Sequence, residues 1–374
     1  MKFSSFVYTL IRKARFGTAI INNSFLSNLF MRNVNSKDMP TESKAEDVLN
    51  KVDPKSTSTS IVRTKSVSRK YDLKIIIPVY NSEQYIQECL NSVINQKNTY
   101  KIKIQIINDG STDKSADIIS KYSKDTRIEI ISQKNSGFSE ARNTGLKKLE
   151  SNYIMFLDSD DILGANSIQN LLDKAYETNS DIVEGSFIRT RKNKLISGIS
   201  HKNMEDVDGD VLFGFPWGKI IKSSLFSEIQ FPVGLWYEDT IISYLIYSLS
   251  KKNTTISDVV YVYRYNPLGI TVLSKNNIKC IDTLWITELM LEEIHILKLK
   301  GSDRIVNLFF NQVILNFRRT QNMNNEVKKA IFVRTRLLLQ KYFLNSSFDK
   351  KFDVLNDALL ENNFKLYYII CALS

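Results

Sequence analysis

The chain has 374 residues, 43% hydrophobic and 24% charged, a balance that suits an enzyme-sized domain with an accessory region. Its net charge of +11 and isoelectric point of about 9.3 favour anionic partners: nucleic acid, anionic lipid or phosphorylated substrates. Cys89, Cys280 and Cys371 make no CxxC pair and no even-numbered set, so neither a zinc site nor a disulfide framework is indicated, and no apolar run reaches the ~18 residues of a bilayer span.

In chain order, residues 1–35 begin with Phe3, Phe6, Val7, Leu10 and Ile11 at helical spacing. Lys2, Arg12, Lys13 and Arg15 are interleaved with them, giving a basic amphipathic segment. Such a segment lies on an anionic membrane or docks on protein, including a second copy, so a homo-oligomer stays open. The basic residues also interrupt any secretory h-region, so the expected location is the cytoplasm, with the inner face of the cell membrane open to it. Residues 36–70 are poor in aromatics and rich in Ser, Thr, Lys and Asp, which reads as a flexible linker.

The texture then changes. Apolar runs at Leu73–Val79, Ile102–Ile107, Arg127–Ile131 and Tyr153–Leu157 read as strands. Between and after them, residues 84–96, 113–122, 137–149 and 166–177 read as helices, and Asp181–Val183 starts another strand. This alternation predicts an α/β domain with a mostly parallel sheet flanked by helices. Residues 186–275 are mixed, and residues 276–374 read as a separate helical region, with helical spacing over 284–299 and 305–319. The basic run of residues 327–343 has no zinc-finger, RRM-like or helix-turn-helix signature beside it, so it reads as a solvated helix face rather than a nucleic-acid site.

Ligands of open parallel sheets bind beyond the carboxyl ends of the strands. Those ends carry Pro78-Val79-Tyr80-Asn81, Asn108-Asp109-Gly110-Ser111-Thr112-Asp113, Asn135-Ser136-Gly137 and Asp158-Ser159-Asp160-Asp161. Three carboxylates within four residues repel one another, and Mg²⁺ or Mn²⁺ would balance them. A capping turn is the alternative, above all for Asp161. Asp109 can accept from a base N–H, Tyr80 can lie against the base face, and Arg142 can hold a base or phosphate or form an ion pair. No GxGxxG follows the first strand and no GxxxxGK[ST] stands near it, against a dinucleotide oxidoreductase or a P-loop NTPase. His201 and His295 are isolated and read as structural.

Four stretches in this order, IIIPVYN, INDGSTD, NSGFSEARNTG and MFLDSDD, resemble the catalytic core of family 2 glycosyltransferases, which have the Rossmann-like GT-A fold. The strong resemblance covers Lys74–Leu163, and a looser one runs through Trp217-Gly218-Lys219, Tyr237-Glu238-Asp239 and Tyr263-Arg264 to about Thr271. It implies a GT-A domain over residues 71–275, with a nucleotide-sugar half (71–185) and an acceptor half (186–275). It also implies an inverting transfer from a UDP-sugar to a hydroxyl of a lipid-linked oligosaccharide, a polyprenyl-phosphate-borne acceptor or another surface glycan. By motif, Pro78, Tyr80 and Asp109 would bind the nucleoside with Arg142 nearby, and Asp158 would contact ribose or metal. Asp160 would hold Mn²⁺ or Mg²⁺, and Asp239 would be the general base. Glu238, Lys219 and Arg264 are candidates for acceptor or phosphate contacts, and Lys219 and Arg264 could equally be structural. Glu238 and Asp239 also suit a helix start before Ile241–Leu249. No QxxRW stretch occurs, which favours adding one sugar or a few over a long polymer. The alternative is a catalytically silent module on the same fold.

Overall fold

The computed structural model describes residues 31–374 apart from 33, 193, 268, 270–276 and 300–302. Most of the amphipathic segment expected over residues 1–35 therefore lies outside the described residues. The chain divides into two compact units. One comprises Ser58–Gly234 with Glu238–Gly269; the other takes the chain up to Thr57, Leu235–Tyr237 and the chain from 270 onward.

In the first unit, β1 (Val67–Val79) lies between β2 (Ile102–Asn108) and β4 (Leu149–Phe156), parallel to both, and β3 (Ile128–Ser132) extends the sheet beyond β2. Leu73, Ile75, Ile76 and Ile77 are completely buried, as a strand covered on both faces requires. Helices α2 (Ile86–Ile94), α3 (Ser115–Ser120), α4 (Phe138–Leu146) and α5 (Ser167–Thr178) connect and cover these strands. Gly145 lets α4 lie close on β1: a Cβ there would stand 2.5 Å from Ile76 Cγ2. Lys74, buried in mid-strand, donates to the carbonyls of Gly145 at 2.7 Å and Lys148 at 3.1 Å, closing the far end of the same helix. The registers Val79↔Asn108 and Ile76↔Phe156 bring the loops after β1, β2 and β4 out at one edge.

The second half of this unit is mixed in direction. After β5 (Ile162–Leu163) come β6 (Ile182–Arg191), β7 (Lys194–Ile199), β8 (Lys219–Lys222) and β9 (Asn253–Arg264). Among the described residues nine strands form one sheet in the order β3-β2-β1-β4-β8-β6-β9-β5, with β7 paired on β6. β8 is antiparallel to both β4 and β6, β6 is parallel to β9, and β5 is antiparallel to β9. The sheet is thus parallel through β1–β4 and mixed beyond, with flanking helices, a GT-A architecture. The apolar run after Glu238-Asp239 is not a plain α-helix: Ile242–Ile246 form a π-helical turn that passes into α6 (Tyr247–Leu249). Single π-turns recur at functional sites.

The other unit is helical, with α7 (Asp282–Ile296), α8 (Asp303–Arg319), α9 (Asn325–Phe343), α10 (Asp353–Leu360) and α11 (Phe364–Leu373). It also contains α1 (Glu42–Val52), in a stretch read from composition as linker. Thr41 caps α1 by accepting from Lys44 N at 3.3 Å, and Ala45 and Leu49 are buried one helical turn apart. Two buried side chains on one face suffice to hold a short polar helix against a larger body. The basic run of α9 is only partly a solvated face: Arg334 pairs with Glu288 of α7, whose carboxylate also receives Lys55 Nζ at 2.8 Å.

Candidate active site

The loops at the carboxyl edge are stitched to one another. Asn81 takes a positive φ of 47° and its Oδ1 accepts from Thr112 N at 2.8 Å. Ser82 N donates to Ser115 Oγ at 2.8 Å, and the Ser82 hydroxyl meets that of Ser159 at 2.7 Å. Pro78 is half-buried just before this corner, and Tyr80 is 50% exposed on it, a ring open to a flat partner.

Asp109, expected to face a base N–H, is buried and already engaged. Its Oδ1 accepts from Gln133 Nε2 at 2.8 Å and Ser136 N at 3.0 Å, and its Oδ2 accepts from Gly137 N at 2.8 Å. These bonds set the 133–137 loop. With φ of 72° at Gly110, a Cβ there would meet Asn135 N at 2.7 Å, so the two loops touch where only glycine fits.

The four residues after β4 divide their tasks. Asp161 is buried and anchors β9: its Oδ1 accepts from Arg264 N and its Oδ2 from the Tyr261 hydroxyl, both at 2.8 Å. Burial and the carboxylates of Asp160 and Asp158 push its pKa well up. Asp158 keeps its side chain 28% exposed and takes Arg142 Nη2 at 2.9 Å. Asp160 is half-buried, its Oδ2 accepts from Asn266 Nδ2 at 2.9 Å, and burial followed by the charge of Asp158 raises its pKa. So Asp158 has a cation partner, while Asp160 meets a neutral amide. A carboxylate left in that state fits a hard divalent cation. Among the described residues no group of three or more His, Cys, Asp or Glu could hold one. An ion at Asp160 would therefore take much of its coordination from phosphate oxygens, which is how Mg²⁺ is commonly held.

Arg142, open to a base or phosphate contact or to an ion pair, takes the ion-pair role and lies buried between two acids. Its Nη1 pairs with Glu238, its Nη2 with Asp158, and its guanidinium carbon lies 5.3 Å from the ring centroid of Phe231. Burial would lower its pKa, but the two carboxylates more than offset this and hold it well above the usual arginine value. Glu238 is buried too. Burial raises its pKa to about 7, the pull of Arg142 opposes this, and Asp239 adds to the rise. Glu238 is thus engaged by an arginine rather than presented to an acceptor. Asp239, the next residue, is half-buried in the turn that leads into the π-helical segment, after Tyr237 in a left-handed conformation with φ of 64°. One guanidinium therefore brings the Asp158–Asp160 loop and the Glu238-Asp239 turn together.

Lys219 and Arg264 take the structural one of their two readings. Lys219 has no exposure: it pairs with Glu184, which faces it across β8 and β6, and donates to Phe213 O and the Tyr247 hydroxyl, both at 2.5 Å. Arg264 is buried as well: it donates from Nε to Asp160 O at 2.5 Å and from Nη2 to Tyr85 O at 3.2 Å, and pairs with Glu88 of α2. Neither reaches outward to a phosphate; each clamps an element behind the site.

Sequence reasoning missed the aromatic backing of the acid loop. Trp217 stacks on Tyr261 with centroids 4.4 Å apart and on Phe215 at 4.5 Å, with Phe187 edge-on at 5.0 Å. The Tyr261 hydroxyl accepts from Asp158 N at 3.3 Å while donating to Asp161. The signal was the alternation Tyr261-Val262-Tyr263-Arg264-Tyr265, which places aromatic rings on one face of a strand.

Comparison with known proteins places this geometry. The sequence model of Glycosyl transferase family 2 matches residues 74–234. Glycosyltransferase GlyA of Streptococcus pneumoniae is 35% identical over 212 residues, covering 51% of this chain and 30% of that protein. Glycosyltransferase GlyG of the same organism is 30% identical over 213 residues, 51% of this chain and 70% of the relative. The matched stretch thus spans under a third of the first relative and over two thirds of the second. Among solved structures, residues 1–349 of Staphylococcus aureus TarS in complex with UDP-GlcNAc superpose with a TM-score of 0.65 at 21% identity, over 80% of this chain and 90% of that one. That likeness is one of fold.

Proposed function

The chain belongs to glycosyl transferase family 2, and from that premise we propose that it transfers a sugar, with inversion, from a UDP-sugar to an acceptor hydroxyl. The acceptor class is a lipid-linked oligosaccharide or another surface glycan. The observation that carries the reading is the Arg142 bridge, which joins the loop of Asp158 and Asp160 to the turn of Asp239. Donor-side acids and a candidate base thus stand on two sides of one buried cation. The UDP-GlcNAc complex of TarS supports a uridine-diphosphate donor.

In this reading Tyr80 lies along the base, and Asp109 orders the 133–137 loop beside it. Asp160 would hold Mg²⁺ or Mn²⁺, which when bound neutralises charge growing on the diphosphate. Asp239 accepts the proton of the acceptor hydroxyl as that oxygen bonds to the anomeric carbon. The bond from that carbon to the diphosphate oxygen breaks, and its electron pair leaves with UDP. Arg142 and Glu238 position the turn and do not touch the reacting atoms.

A donor panel tests the proposal. The purified chain is mixed with Mn²⁺ and each common UDP- or GDP-sugar, and thermal stabilisation and nucleotide release are recorded. A bound donor stabilises by about 2.7 kcal/mol at a hundredfold excess over its Kd. One UDP-sugar should give both signals, and Asp160→Ala should lose them. Stabilisation by no nucleotide, with or without metal, sinks the proposal in favour of a silent module.

A further inference from the structure

The hairpin of β6 and β7 stands apart from the chemistry so far described, and its composition is lopsided. From Gly185 to Met204 the chain contains Arg189, Arg191, Lys192, Lys194 and Lys202 and no acidic residue. All five cations are exposed. Every residue of β7 is exposed, including Leu195 at 68% and Ile196 at 57%, with Ile199 at 41% beside them. β7 pairs only with β6 among the described residues. Three cations, Arg191, Lys192 and Lys194, therefore crowd the turn, and two large apolar side chains follow at once.

We propose that this hairpin docks on an anionic lipid surface, with the Leu195 and Ile196 side chains entering the headgroup–acyl boundary and the surrounding cations meeting lipid phosphates. The pairing of the two features favours lipid. A soluble polyanion would be met by the cations alone and has no use for exposed Leu and Ile. A second copy pairing along the β7 edge would bring two sets of like charges together, and lysine-rich edges are a means of preventing that pairing. A bilayer takes both, because apolar side chains enter it while Lys and Arg stems reach up to its charged surface.

The fold gives the docking a consequence. Thr190 is in register with Arg264, and Tyr265 N donates to Thr190 O at 2.8 Å. Arg264 in turn holds Asp160 O and Glu88. The hairpin is thus a direct extension of the strand pair that ends on the acid loop. A hairpin on the membrane would present that loop at a fixed height over the lipid surface, which suits an acceptor whose anchor lies in the bilayer. The docking itself does not depend on the identity of the donor.

The test is co-sedimentation of the full chain with vesicles of phosphatidylcholine alone and of phosphatidylcholine mixed with phosphatidylglycerol. Two variants are compared: Arg189→Gln/Arg191→Gln/Lys192→Gln/Lys194→Gln, and Leu195→Ser/Ile196→Ser. Unchanged thermal midpoints and unchanged nucleotide release establish that both remain folded. Wild type should bind the phosphatidylglycerol vesicles more tightly than phosphatidylcholine alone. The charge variant should lose affinity by about a hundredfold or more, since each surface cation near anionic lipid contributes on the order of a fivefold gain. The Ser pair should also bind more weakly. Wild-type binding in both variants would overturn the proposal. Loss in the charge variant alone, with equal loss of binding to soluble polyphosphate, would overturn it in favour of a polyanion site. A concentration-dependent dimer abolished by the Ser pair would overturn it in favour of self-association.

Discussion

Arg142→Gln tests the bridge that joins the two halves of the candidate site. The substitution leaves Glu238, a buried carboxylate with a side chain 9% exposed, without its cation. Breaking a buried pair by removing one partner costs about 3–5 kcal/mol. The lower end applies here, because Asp158 is 28% exposed and recovers water, and because Glu238 can take up a proton. That second escape makes the loss depend on pH. In the wild type the folded-state pKa of Glu238 is raised to about 7, so the native protein holds this proton more tightly than the unfolded chain. Stability from this source is complete below the unfolded value and is lost as pH rises through about 7, where the wild type stops losing it. Without Arg142 the pKa moves higher still, and the variant goes on losing stability above that point, by about 1.4 kcal/mol per pH unit. Urea unfolding of both proteins at about pH 6 and about pH 8 should show the larger gap at the higher pH. The double variant Arg142→Gln/Glu238→Gln should show much less pH dependence. A loss equal at the two pH values, or under about 1 kcal/mol at both, would refute the reasoning.

Three further outcomes follow from the same structure. Asp239→Asn should lower kcat by about 10²–10⁴-fold with donor-induced stabilisation intact; near-normal turnover of the folded variant removes Asp239 as the base. Lys219→Met should destabilise by about 3–5 kcal/mol in urea, by stranding Glu184, and adding Glu184→Gln should restore much of it. A stable but inactive Lys219→Met would return Lys219 to the reaction. Gly145→Ala, with a Cβ 2.5 Å from Ile76 Cγ2, should cost about 1–3 kcal/mol by lifting α4 from β1, read as a lower urea midpoint with an unchanged m-value.

The part of the sheet from β1 to β4 was legible because its order is local. Four apolar runs each make a parallel strand, three of them largely buried and β3 half-buried at the sheet edge, so the pattern of short apolar runs alone finds them. Residues 186–275 resisted because their pairing is distant: β6 lies beside β8 and β9, and short β8 has no pattern to distinguish it. The site residues divide in the same way. Tyr80 and the acids after β4 emerge at the edge that the strand reading predicts. For the three basic residues the sequence left phosphate contact and an ion pair both open, and the pairing was out of its sight. A cation in sequence looks ready for phosphate, yet Arg142 is taken up by Glu238, Lys219 by Glu184 and Arg264 by Glu88, each far along the chain. Helix α1 could have been found: Thr41 stands at an N-cap position, and Ala45, Val48, Leu49 and Val52 repeat at helical spacing, but the polar composition around them outweighed that pattern.

The anchoring of Asp161 has a temporal side. Its two oxygens wait for Tyr261 and Arg264, which lie 100 and 103 residues further along the chain. At about 5–20 residues per second, a ribosome delivers those partners roughly 5–20 s after the acid loop itself has been made. During that interval the strands β1 to β4 can pair, but the buried carboxylate has neither the backbone N–H nor the hydroxyl that satisfies it. A nascent chain thus acquires its parallel sheet first and the set geometry of its acid loop only when β9 closes over it. Premature termination between the acid loop and Arg264 would leave a chain with the strands β1 to β4 in hand yet unable to fix the position of Asp160.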